Sequence, residues 1–110
     1  MKTKLVVMAA VAAFLSSGIA QAGDFVKNHP RRAQVNARLE NQNERIKEGV
    51  KNGQLSKDQA QQLHAEDHAI RDQERADAAE HGGHITKGEQ RQLNREENAA
   101  SKQIYSEKHP

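Results

Sequence analysis

Aliphatic residues punctuate a largely polar chain at helical spacing. From Arg31 onward Val35, Leu39, Ile46 and Val50 follow at steps of 4, 7 and 4, with Gln42 filling the wide gap. Those steps lie on one stripe of an α-helix. Leu63 and Ile70 stand seven apart, flanked by Ala60, Ala69 and Ala78, and Leu93, Ala100 and Ile104 follow at steps of 7 and 4. Nothing alternates with the period of a strand. The pattern predicts an all-α fold of three antiparallel helices over about 31–51, 56–80 and 86–105.

The boundaries are marked twice in the same way. Gly53-Gln54-Leu55-Ser56-Lys57-Asp58-Gln59 returns as Gly83-His84-Ile85-Thr86-Lys87-Gly88-Glu89. Each copy joins a turn glycine, an aliphatic and a hydroxyl residue followed three places on by Gln or Glu, which is a capping box. The likeness extends from Leu63-His64-Ala65-Glu66-Asp67 to Leu93-Asn94-Arg95-Glu96-Glu97. Asn52-Gly53 and His81-Gly82-Gly83 are the expected stops. The turns are also EF-hand-like, but degenerate. Registering each glycine on the sharp turn of such a loop places Glu48, Val50, Asn52 and Gln59, or Ala78, Glu80, Gly82 and Glu89, at ligand positions. Calcium takes six to eight oxygens, several of them anionic, so this set argues against it.

The ends carry other signals. Lys2 and Lys4, the apolar run Leu5 to Leu15 and Ala20-Gln21-Ala22 read as a signal peptide over 1–22, cleaved before Gly23. The apolar run is too short for a transmembrane helix, so no membrane insertion is expected after cleavage. The reading places the mature chain in the periplasm, with an extended arm at 23–30, a helical repeat domain at 31–105 and a polar tail at 106–110. Losing Lys2 and Lys4 reduces the 17 basic residues to the number of the 15 acidic ones. A neutral exported chain without a basic block is a poor nucleic-acid ligand. The absence of cysteine removes thiol catalysis, thiolate metal sites and disulfides.

Candidate chemistry is sparse. His64 and His68 stand four apart on the second helix, a spacing at which two imidazoles share one metal ion. His81 and His84 form a second pair beside the glycine turn, about 20 Å farther along the helix. Glu66, Asp67 and Glu80 lie near, so low-affinity binding of zinc, copper or nickel is the metal reading. The hydroxyl residues Ser56, Thr86 and Ser101 are read as caps or surface groups. No acidic residue sits in a context expected to raise its pKa, and apolar residues are too few to line a substrate pocket. No enzymatic activity is expected. The narrow stripes suggest that Leu55, Leu63 and Ile70, with Ile85, Leu93 and Ile104, form an interaction surface for a second copy or for envelope proteins.

Leu55-Ser56-Lys57-Asp58-Gln59 and its second copy Ile85-Thr86-Lys87-Gly88-Glu89 resemble the repeated Leu-Thr-x-x-Gln motif of the Spy/CpxP family of periplasmic stress proteins. The resemblance implies an all-helical, cradle-like dimer that holds misfolded envelope proteins, with relatives linked to zinc or copper stress. The stretch from His29-Pro30-Arg31-Arg32 to Gln103-Ile104-Tyr105 also looks like a group of small exported proteobacterial proteins of no assigned activity. The chain departs from the Spy/CpxP pattern in being shorter, in lacking methionine after residue 22 and in its few aromatics.

Overall fold

The computed structural model describes residues 23–110, and the expected signal peptide lies outside the described residues. Among these there is helix and turn but no strand. Three long helices follow one another: α1 Pro30–Lys51, α2 Lys57–Glu80 and α3 Lys87–Lys108. Two ends differ from expectation. Residues 23–28 are helical rather than extended, because Pro30 restricts only the residue before it. The His29 N–H donates to the Phe25 carbonyl at 2.7 Å, and the two rings stack 4.8 Å apart. α3 runs on into the expected tail, where Tyr105 and His109 stack at 4.1 Å across the last turn.

Cross-helix bonds give the order in which the elements meet. Arg32 pairs with Glu74, while Asn43 meets His64, so partners on α1 and α2 run in opposite sequence order. Gln34 meets Asn94, Gln42 meets Glu97 and Arg45 meets Ser101, so partners on α1 and α3 run in the same order. The spacing between helices is uneven. α2 and α3 bring Cα atoms within 8 Å of each other, whereas no Cα of α1 comes that near to either. Small residues on the α2–α3 side, Ala60, Ala78 and Ala100, allow close approach. α1 reaches across with Arg32, Arg38, Gln42 and Arg45 instead.

The buried positions follow a heptad-like seam. They are Val35, Leu39, Gln42, Ile46 and Gly49 on α1, and Ala60, Leu63, Asp67, Ile70, Glu74 and Ala78 on α2. On α3 they are Leu93, Glu97, Ala100 and Ile104. Each seven-residue gap between aliphatics is thus filled by a buried polar residue: Gln42, Asp67 or Glu97. The apolar side chains form two clusters, one around Leu39, Ile70 and Leu93 and one around Ile46, Leu63 and Ile104. Gln42 on α1 and Asp67 on α2 sit at the break between them.

Both corners are capped helix to helix. At the first, Gly53 adopts φ 76° and the Gln54 N–H reaches back to the Gly49 carbonyl at 2.8 Å. At the second, Gly82 adopts φ 64° and the Gly83 N–H reaches the Ala78 carbonyl at 2.8 Å. These are Schellman caps, which need a residue with positive φ where glycine avoids the Cβ penalty. Gly53 therefore corresponds to Gly82, not to Gly83 as the sequence repeat suggests. Gly83 is an extra residue at φ 94° before the Thr86 cap. Ser56 with Gln59 and Thr86 with Glu89 complete the two capping boxes. No helix among the described residues is long and apolar enough to cross a membrane.

Candidate functional site

The second corner gathers three potential ligands. Glu80 ends α2, His81 is its C-cap, and Glu89 stands in the first turn of α3. The extra glycine turns the chain back so that one ligand atom from each lies within 4.8 Å of the others. His81 Nε2 and Glu89 Oε2 are 3.2 Å apart. Two ligands on one tetrahedral zinc, with bonds of about 2.0–2.1 Å, stand about 3.3 Å apart, so this pair is already at ligand spacing.

The cap does more than start a helix. Glu89 Oε1 accepts the Thr86 N–H at 2.9 Å, and the Glu89 N–H donates to Thr86 Oγ1 at 3.0 Å. One carboxylate oxygen is thereby fixed to the backbone while the other faces His81. The hydrogen bond from the Thr86 backbone, against the opposing effect of desolvation and with help from His81, holds the Glu89 carboxyl below its ordinary pKa. A ligating carboxylate needs a hydrogen-bonding group behind it to fix its orientation, and Thr86 is that group for Glu89. At the first corner, the same cap register holds Lys51, Asn52 and Gln59. A cation, an amide and another amide make no ligand set.

No family model, no curated protein and no solved structure matches this chain.

The other histidines are placed differently. His64 Nδ1 donates to Asn43 Oδ1 at 2.8 Å, and burial, reinforced by Lys47, lowers its pKa. His68 is well exposed and lies 3.5 Å from Asp72 through Nδ1. The two rings thus engage different neighbours, Asn43 on α1 and Asp72 on α2. Among the described residues the one three-ligand group is Glu80, His81 and Glu89, which includes neither of them and omits the exposed His84. Leu55, Leu63, Ile70, Ile85, Leu93 and Ile104, expected as an interaction surface, are all buried inside the chain, from 0 to 7 % exposed. The stripes of the three helices face one another within the chain. Among the described residues, the large hydrophobics left exposed are Val26 and Tyr105.

Three buried acids were not foreseen as such. Asp67 is 2 % exposed, Glu74 1 % and Glu97 0 %. Glu74 is paired with Arg32. Neither oxygen of Asp67 nor of Glu97 receives a hydrogen bond, and Gln42 Oε1 likewise has no donor. Burial, reinforced by Glu66, raises the Asp67 pKa to about 6. Burial raises Glu97 to about 8 against the pull of Arg38, with Asp67, Glu74 and Glu96 adding to the rise. The expectation that no acid here has a raised pKa is therefore overturned. The signal was the seam itself: Asp67 lies four residues after Leu63 and three before Ile70, as Glu97 lies four after Leu93 and three before Ala100.

Proposed function

We propose that this chain is a non-enzymatic periplasmic protein that captures a transition-metal ion at its second corner. The fold we infer is an up-down-up bundle of three helices, in which the corners are capped turns. Glu80, His81 and Glu89 would supply one nitrogen and two carboxylate oxygens, leaving a fourth position for water. One imidazole among carboxylates suits zinc, nickel or copper(II) better than the all-oxygen shell of calcium. The observation that carries the reading is the contrast between the corners: the same cap, one residue more, and ligands at all three positions. Low affinity is expected, because the site is partly exposed and has three protein ligands. A client-holding role in envelope stress, as the Spy/CpxP likeness implies, calls for an exposed apolar face; burial of the six aliphatics favours the metal reading.

Calorimetric titration of the protein with zinc, copper(II) and nickel tests this. His81→Ala and Glu89→Gln should abolish saturable binding, while His64→Ala/His68→Ala should leave it unchanged. Glu89→Gln is the sharper variant, since Gln59 shows that glutamine serves the same capping box. Binding that survives Glu89→Gln and is lost with the His64/His68 variant would overturn the assignment.

A further inference from the structure

We propose that Gln42, Asp67 and Glu97 form a proton-binding layer that fastens α1 onto α2 and α3, and that loss of its protons releases α1. The layer is an unbalanced inventory of polar atoms. Gln42 Oε1, both oxygens of Asp67 and both of Glu97 are buried acceptors without a donor. Gln42 Nε2 gives one hydrogen to the Glu97 carbonyl at 2.7 Å, and neither it nor any other donor reaches these oxygens. An ionised carboxylate can only accept, whereas a protonated one donates through its O–H. A proton on Asp67 or Glu97 therefore supplies what the layer lacks.

The surrounding charges do not take its place. From α1, Arg38 Nε makes an ion pair with Glu97 Oε1 at 3.7 Å, beyond a hydrogen bond, and its two terminal nitrogens bond Asn94 and Asn98. Arg45, also on α1, attracts Asp67 from a distance while bonding Ser101 at 2.7 Å. From α2, Arg71 attracts and Glu66 repels Asp67, while Glu74 is engaged by Arg32. From α3, Glu96 adds a further like charge. Burial and these like charges together raise both acids, to about 6 for Asp67 and about 8 for Glu97.

The fold decides which element gives way. α2 and α3 are in close backbone approach, while α1 stands farther off and meets them through Val35, Leu39 and Ile46 and through long polar side chains. Gln42 is the α1 member of the layer, and its bond to the Glu97 backbone is the contact that ionisation beside it would strain. The α1–α2 corner turns at Gly53, which has open space around it. Release of α1 would uncover the aliphatic seam that the closed form hides.

Segment-resolved amide hydrogen exchange from pH 5 to 9, corrected for intrinsic rates, tests the proposal. Between pH 6 and 8 α1 amides should lose protection by about tenfold per pH unit, the slope of one proton released on opening. Protection in α2 and α3 should fall far less. Asp67→Asn/Glu97→Gln, and the isosteric Glu97→Gln alone, should flatten the α1 dependence. Carboxyl carbon shifts of the unaltered protein give a measure that needs no variant: Asp67 and Glu97 should titrate above the ordinary carboxylate range. Ordinary titration of both, equal loss of protection in all three helices, or restored protection at pH 9 on adding calcium or magnesium would each overturn the proposal.

Discussion

A β-carbon placed on Gly49 would stand 2.6 Å from Leu55 Cδ1 and 2.8 Å from its Cγ. The last turn of α1 and the aliphatic before the Ser56 cap therefore occupy one space. Leu55 is 4 % exposed and packed with Ile46 and Leu63, so it has little room to retreat. Gly49→Ala gains about 1 kcal/mol of helix propensity, but overpacking costs about 1–3 kcal/mol. The variant is expected to be destabilised by up to about 2 kcal/mol in urea denaturation. Adding Leu55→Val should recover part of that loss.

Gly88 is the contrasting case. It lies in the first turn of α3, with nothing closer to an added β-carbon than 3.9 Å. Gly88→Ala should stabilise the protein by about 0.4–1 kcal/mol, chiefly by restricting the unfolded chain. A rise in the thermal midpoint without a change in helical content checks this.

The two capping boxes should be separable from metal capture. Ser56→Ala and Thr86→Ala are each expected to cost about 1 kcal/mol. Only Thr86→Ala should also weaken zinc binding, because Thr86 orients Glu89. Equal zinc affinity in the two variants would detach the cap from the site.

Stability should fall as pH rises from 5 to 9. Asp67 and Glu97 bind protons more tightly in the folded state, to about 6 and about 8, than in the unfolded chain. The folded form thus carries more protons between the ordinary carboxylate range and pH 8, and the linkage slope is negative there. Glu89 acts in the opposite sense: its depressed pKa contributes stability that is lost on acidification. Denaturant midpoints from about pH 3 to 9, for the unaltered protein and for Asp67→Asn/Glu97→Gln, separate the two effects, since that of Glu89 falls below the ordinary carboxylate range.

Arg32 keeps Glu74 from being a bare buried charge. It also donates to the Gly83 carbonyl at 3.2 Å, tying α1 to the second corner. Arg32→Ala should cost about 3–5 kcal/mol, the range for breaking a buried pair from one side. Arg32→Leu/Glu74→Leu should recover most of it, and a double-mutant cycle in urea measures the coupling.

Much of the fold could be read from the aliphatic positions, because steps of 4 and 7 admit one helical stripe. The all-helical class and the helix starts at the Ser56 and Thr86 caps follow from that and from local capping chemistry. What stayed hidden were the seam positions occupied by polar residues. Gln42 stood out as a gap in the pattern, but Asp67 and Glu97 read as solvated acids because hydropathy assigns no carboxylate to a core. Their burial depends on all three helices meeting. The proposed metal corner was half visible: His81 was named, but His84 was taken as its partner by proximity in sequence. Glu89 replaces it because the turn folds the chain back, and the single residue that does so, Gly83, blends into the repeat.

That residue makes the molecule its own control. Two corners built from one cap chemistry differ in length by Gly83 and in character at Lys51, Asn52 and Gln59 against Glu80, His81 and Glu89. Helix capping and turn glycines are common to both, so any ion held at one corner alone must be ascribed to the inserted residue and the three side chains it aligns. The same comparison says how the property could be moved: a glycine added after Gly53, with Glu, His and Glu at positions 51, 52 and 59, should carry it to the other end of the bundle.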